Sequence, residues 1–84
     1  MTDRQSPVPF ARWLRARRVE LDHDQDVAAK TMGVGLGKLR RWEAGEIPSK
    51  LADVDAIATW AGVDRDTLAS MLLDELAERH AATA

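Results

Sequence analysis

The chain has 84 residues, 45% hydrophobic and 31% charged, with a formal net charge of −2 and no cysteine. That length allows one small domain, and the composition is that of a folded chain rather than a disordered one. Without cysteine there are no disulfides or thiolate metal ligands, and no apolar run approaches the ~20 residues that span a bilayer.

Residues 1–8 are polar with a proline and are expected to form a flexible arm before a domain over 9–80, with 81–84 frayed. No basic-then-apolar export signal opens the chain, so the cytoplasm of a bacterium or phage-infected host is the expected location. The first predicted helix runs from Pro9 to Leu21, with Phe10, Trp13, Leu14 and Leu21 on one face. Proline suits that first turn because its missing N–H has no intrahelical partner there. The second, Gln25 to Met32, is capped by Asp24 and turns Ala28, Ala29 and Met32 inward. Gly33 ends it, since glycine enters a left-handed turn without steric cost. The third spans Gly35 to Glu43 and is followed by a loop over 44–48. Ser49 is the expected cap of a fourth helix, Lys50 to Ala61, packed through Leu51, Val54, Ile57, Ala58 and Ala61. Gly62 stops it, and Asp64 caps a fifth from Arg65 to His80. No alternating β-branched run, repeat or low-complexity tract interrupts this all-α pattern.

The charge is unevenly spread. Residues 1–50 hold ten Lys/Arg against seven acids, a net of +3, while residues 51–84 hold two against seven, a net of −5. Attraction to phosphate acts over about a Debye length, roughly 8 Å at physiological salt, so the basic half matters more than the total. The asymmetry permits nucleic-acid binding without establishing it.

Two short helices joined by a tight glycine turn make a helix-turn-helix if they cross closely. Close crossing needs a small residue on the second helix, glycine at the turn and apolar residues facing back from the third. Ala29, Gly33, Val34, Leu39 and Trp42 meet those needs. At ~100° per residue the opposite face of the third helix carries Gly37, Arg40 and Arg41, with Leu36 and Lys38 at its edges. Arginine suits an outward recognition face, because its planar fork bonds a guanine edge bidentately or grips a phosphate.

Five stretches carry a resemblance: Trp13-Leu14-Arg15-Ala16-Arg17-Arg18, Gln25-Asp26-Val27-Ala28-Ala29, Gly33-Val34, Leu39-Arg40-Arg41-Trp42-Glu43-Ala44-Gly45-Glu46, and Ile57-Ala58 with Gly62-Val63. Together they resemble the Cro/phage-repressor, or XRE-type, helix-turn-helix family over about Phe10 to Leu73. The resemblance implies a five-helix, lambda-repressor-like domain that binds double-stranded DNA as a homodimer and regulates transcription. By position, Gln25 resembles a glutamine that contacts a phosphate and braces the recognition helix. Gly35, Leu36, Gly37, Arg40 and Arg41 occupy base-reading places, and Glu43 resembles a glutamate that pairs with an arginine of the first helix, for which Arg18 is best placed. Lys38, Lys50, Arg12 and Arg15, with the Gly35 and Gly37 amides, are expected to hold phosphates.

The chain departs from the family pattern in two places. Gly35, Leu36 and Gly37 offer no polar side chain to a base, although Leu36 can meet a thymine methyl and the glycines let backbone N–H groups approach a phosphate. Asp22 and His23 stand where a glycine and an apolar residue are common. These departures, with the acidic second half, keep open a protein–protein interaction module, or the antitoxin of a toxin–antitoxin pair, as alternatives.

Apolar surface is in excess on the last two helices. Trp60 lies over ~100° from the centre of its helix's apolar stripe and either covers the core edge or anchors a partner. Leu68, Met71 and Leu72 suffice to dock the fifth helix, yet Ala69, Leu73, Leu76 and Ala77 form a second flank. Leu73, Leu76 and Trp60 are therefore assigned to a dimer seam. Val27 faces outward, and nothing in the sequence accounts for it. His23 and His80 are isolated and read as surface residues, and the acids of residues 51–84 read as solvated faces and caps. No metal, cofactor or catalytic constellation is expected.

Overall fold

In the computed structural model, which describes residues 9–83, five helices follow one another: α1 (Phe10–Glu20), α2 (Gln25–Met32), α3 (Leu36–Glu43), α4 (Leu51–Ala61) and α5 (Arg65–Thr83). No strand occurs among the described residues. The expected arm, residues 1–8, lies outside them. At the α2 start the Asp24 carboxylate accepts the Val27 N–H at 2.8 Å, and at the α5 start Asp64 accepts those of Asp66 and Thr67. Gly35 precedes α3 in extended backbone rather than forming its first turn. Lys50, not Ser49, is the N-cap of α4, and it supplies no side-chain cap. α5 runs past the expected stop at His80 to Thr83. Residues 81–83 contain neither glycine nor proline, so nothing there breaks a helix.

The ends of α1 to α4 close in one way. A residue at positive φ (Asp22, Gly33, Gly45 or Gly62) follows each helix. Its N–H reaches the carbonyl three residues back, and the next N–H reaches the carbonyl five back. This is the Schellman arrangement, which satisfies orphan carbonyls and brings the residue after the turn against the one five before it. The four pairs so formed are His23 with Arg18, Val34 with Ala29, Glu46 with Arg41, and Val63 with Ala58. Two are apolar and two polar.

Every helix contributes to the core. Phe10, Leu14, Leu39, Ile57 and Leu68 are fully buried, and Trp42, Leu72 and the small Ala28, Ala29, Ala58 and Ala61 close around them. The alanines let α2 approach α3 and α4. α1 packs on α3 and α5; the Phe10 N–H donates to the Glu75 carboxylate, and Arg17 Nε donates to the Ala61 carbonyl at 2.9 Å. Trp13 is half-buried at the edge, stacked with Phe10 at 6.1 Å.

Three expectations need correction. Leu51 does not pack: it is 66% exposed. It is the first residue of α4, one turn before Val54, where the buried part of the stripe begins. Trp60 is buried, and its indole N–H donates to His23 Nδ1 at 3.1 Å, so it is not available to a dimer seam. His23 is correspondingly half-buried, with its ring against Trp60, rather than a free surface residue. A buried indole N–H needs an acceptor, and the α1–α2 turn brings this ring nitrogen to it.

Asp22 is the one non-glycine at positive φ among the described residues (59°). A left-handed residue with a Cβ is strained. Asp22→Gly is expected to stabilise the chain by about 0.5–1 kcal/mol, relieved strain exceeding glycine's extra chain entropy. A higher urea midpoint at unchanged slope would show it; an unmoved midpoint would mean that the aspartate is not strained there.

Candidate nucleic-acid interface

Glu43, in the last turn of α3, is buried although charged, with 5% of its surface exposed. Its carboxylate receives a two-pronged contact from Arg18 of α1, Nε at 2.7 Å and Nη2 at 3.2 Å, and a third bond from Gln25 Nε2 of α2 at 3.1 Å. Arg15 Nε adds a longer contact at 3.8 Å, while its Nη2 donates to the Glu43 carbonyl at 3.3 Å. Arg18 Nη1 also holds the His23 carbonyl at 3.0 Å. A carboxylate removed from water requires such partners, and a guanidinium fork supplies two parallel bonds in fixed geometry. One anion thus ties α1, α2 and α3 together and fixes the angle at which α3 is presented.

The opposite side of α3 faces solvent. Arg40 and Arg41 are exposed, as are Gly35 and Gly37. Arg40 Nε donates to Gln25 Oε1 at 3.4 Å, so the Gln25 amide has its nitrogen on the buried carboxylate and its oxygen on an outer arginine. Leu36, expected at a reading position, is half-buried and leans on the core. No side chain caps the start of α3. Its first N–H groups thus lack a side-chain acceptor.

Among the expected phosphate holders, Arg12 and Arg15 are exposed one turn apart on α1, and Lys50 is exposed at the start of α4. Lys38, Arg41 and Lys50 line one recess between the end of α3 and the start of α4. Two of these three are already paired. Lys38 Nζ lies 3.3 Å from Asp53, whose side chain is 15% exposed, and Arg41 Nε lies 3.1 Å from Glu46. Asp53 escapes a sequence reading that treats the acids of residues 51–84 as solvated faces and caps, and that reading gives Glu46 no role. The available signal for Glu46 is its position directly after a glycine that ends a helix, five residues beyond an arginine. Leu73 and Leu76 are exposed on α5 at 65% and 47%, remote in sequence from this face. Among the described residues no three His, Asp or Glu side chains are grouped to hold a metal ion.

Arg18→Ala would leave the Glu43 carboxylate buried with only the Gln25 amide and the long Arg15 contact. Breaking a buried pair from one side costs about 3 kcal/mol or more. Arg18→Met combined with Glu43→Leu is expected to cost less than Arg18→Ala alone, since no buried charge is stranded. Urea titrations of both variants check this; a loss under about 1 kcal/mol for Arg18→Ala would mean that the pair is effectively solvated.

No curated protein and no solved structure matches the chain. A family model described as a helix-turn-helix domain matches residues 9–71, which takes in α1 to α4 and the first turns of α5. The matched span contains the close α2–α3 crossing, the Gly33 turn and the Glu43 brace. By that match the chain belongs to the helix-turn-helix domain family.

Proposed function

We propose that the chain is a sequence-specific regulator of transcription, of prokaryotic or phage type, that sets α3 in the major groove of double-stranded DNA. The observation that carries this is the two-sidedness of α3. Its inner side is locked by Leu39, Trp42 and the Glu43 cluster, and its outer side presents Arg40 and Arg41 to solvent. Arg40 is the main candidate for a base edge, with Gln25 steadying it from behind. Arg12, Arg15 and Lys50 supply attraction to phosphates, and the uncapped start of α3, flanked by Gly35 and Gly37, admits an anion close to the backbone.

Binding by two copies fits the dimensions. Successive major-groove faces lie about 34 Å apart, and the domain measures 37 × 28 × 23 Å. The exposed Leu73 and Leu76 supply an apolar seam on α5 for such pairing. A second reading, use of the domain to bind a protein such as a cognate toxin, draws support from the same leucines and from the paired charges beside α3.

Arg40→Ala with Arg41→Ala is expected to weaken binding to the chain's own promoter DNA at least tenfold, since one base contact is worth about 1–3 kcal/mol. Fluorescence anisotropy across a salt series measures this. Wild-type affinity for promoter no better than for unrelated duplex at low salt would reject the DNA regulator in favour of the protein-binding module. Leu73→Glu with Leu76→Glu is expected to give a folded monomer by light scattering where the wild type is a dimer. Unchanged mass would place the seam elsewhere.

A further inference from the structure

The four helix ends close alike, but only one of them sets opposite charges together on the outer side of α3. At α1 the facing pair is His23 with Arg18, whose guanidinium bonds the His23 carbonyl and the buried Glu43 carboxylate. At α2 and α4 it is valine against alanine. At α3 it is Glu46 against Arg41, and four atoms define the contact. The Glu46 N–H donates to the Arg41 carbonyl at 3.0 Å, and Arg41 Nε meets Glu46 Oε1 at 3.1 Å. Gly45, at φ 120°, makes the turn that allows both.

The two side chains are 61% exposed each, so the pair is not part of the core. Its backbone half nevertheless keeps the partners in register, which removes much of the search entropy that makes ordinary surface pairs weak. The remainder of the Arg41 guanidinium lies along the helix over Gly37: a Cβ at that glycine would stand 3.9 Å from Nη1. Arg41 therefore rests flat on α3 between a glycine and a carboxylate, instead of projecting from it.

We infer that Glu46 is a specificity-determining residue that holds Arg41 in this intramolecular pair and thereby lowers affinity for arbitrary duplex DNA. The inference rests on the DNA-binding function proposed above. A lone phosphate offers Arg41 the same kind of contact that Glu46 already provides, so exchanging one anion for the other gains little. A base edge with two aligned acceptors can take both prongs of the fork, whereas no hydrogen bond from a guanidinium Nη to Glu46 accompanies the Nε contact at 3.1 Å. The pair thus discounts contacts that any sequence can supply. Glu46 does not read DNA itself; it acts through Arg41.

The test is a double-mutant cycle on the full chain, comparing wild type, Glu46→Gln, Arg41→Ala and the double variant. The probe is a fluorescent duplex of scrambled sequence, about two helical turns long, titrated across a salt series. Glu46→Gln is expected to tighten binding about threefold, the scale of a released surface pair. It should also steepen the slope of log affinity against log salt by about 0.9, as one more arginine displaces counterions. In the Arg41→Ala background the same substitution should leave both slope and affinity nearly unchanged. A gain of equal size in both backgrounds would overturn the inference, since Glu46 would then act only as a general negative charge. A wild-type chain whose affinity for every duplex is insensitive to salt would instead remove the DNA-binding function on which the inference stands. Circular dichroism melts on the four proteins confirm that folded chains are being compared.

Discussion

A carboxylate taken out of water must be paired and hydrogen-bonded, and Glu43 finds its cation on α1 and a neutral amide donor on α2. Its two oxygens are shared between the Arg18 fork and the Gln25 amide, with Arg15 at longer range. Apolar contact alone would hold α3 against α1 and α2 without fixing its rotation, because the hydrophobic effect is non-directional. Bonds aimed at a single anion do fix it. Since Glu43 sits on the inner side of α3 one turn beyond Leu39, locking its carboxylate decides which residues are left facing outward. The position of Arg40 and Arg41 in solvent follows from that constraint.

The constraint also explains why the α1–α2 turn tolerates an unfavourable residue. Asp22 holds a positive φ, and the strain is local. The next residue makes two useful contacts: the His23 carbonyl receives Arg18, and the His23 ring receives Trp60 from α4. The turn therefore supports the arginine that holds Glu43 from one side and α4 from the other. A glycine–valine pair, as after α2 and α4, would close the helix more comfortably and still offer Arg18 a backbone carbonyl, but it would give the Trp60 indole no ring nitrogen to donate to.

Much of this was legible in the sequence, and the limits have physical causes. The helices followed from apolar spacing and from Asp24, Gly33, Gly62 and Asp64, since these signals act within a few residues. The α2–α3 crossing followed from Ala29, Gly33, Leu39 and Trp42 for the same reason. Tertiary pairings were not legible from spacing. Trp60 lies at an angle that leaves a core-edge place and a partner anchor both open, and it is the arrival of His23, 37 residues away, that gives its buried indole N–H an acceptor. Lys38 reads as an outer cation until α4 places Asp53 beside it, 15 positions on. Leu51 fails differently: it fits the stripe by counting, but it stands in the first turn of α4, beyond the reach of the core. Long-range partners are what a one-dimensional pattern omits.

The ten Lys/Arg of residues 1–50 overstate the cations that a phosphate would find unpaired. Arg18 is spent on Glu43, Arg17 on Glu20 and the Ala61 carbonyl, Lys30 on Asp26, Arg41 on Glu46 and Lys38 on Asp53. Arg40 leans on a neutral amide, Arg12 and Lys50 are exposed, and Arg15 is exposed with a long contact to Glu43. With so few unpaired cations among the described residues of this half, a single copy gains little from counterion release, which scales with the phosphates neutralised. Two copies joined through α5 would change that, because binding of the second becomes intramolecular and the weak terms multiply. On the proposed function, a sparse basic face and an exposed leucine flank would be complementary: the poorer the electrostatic attraction of one α3, the more DNA binding would depend on pairing through the helix that carries Leu73 and Leu76.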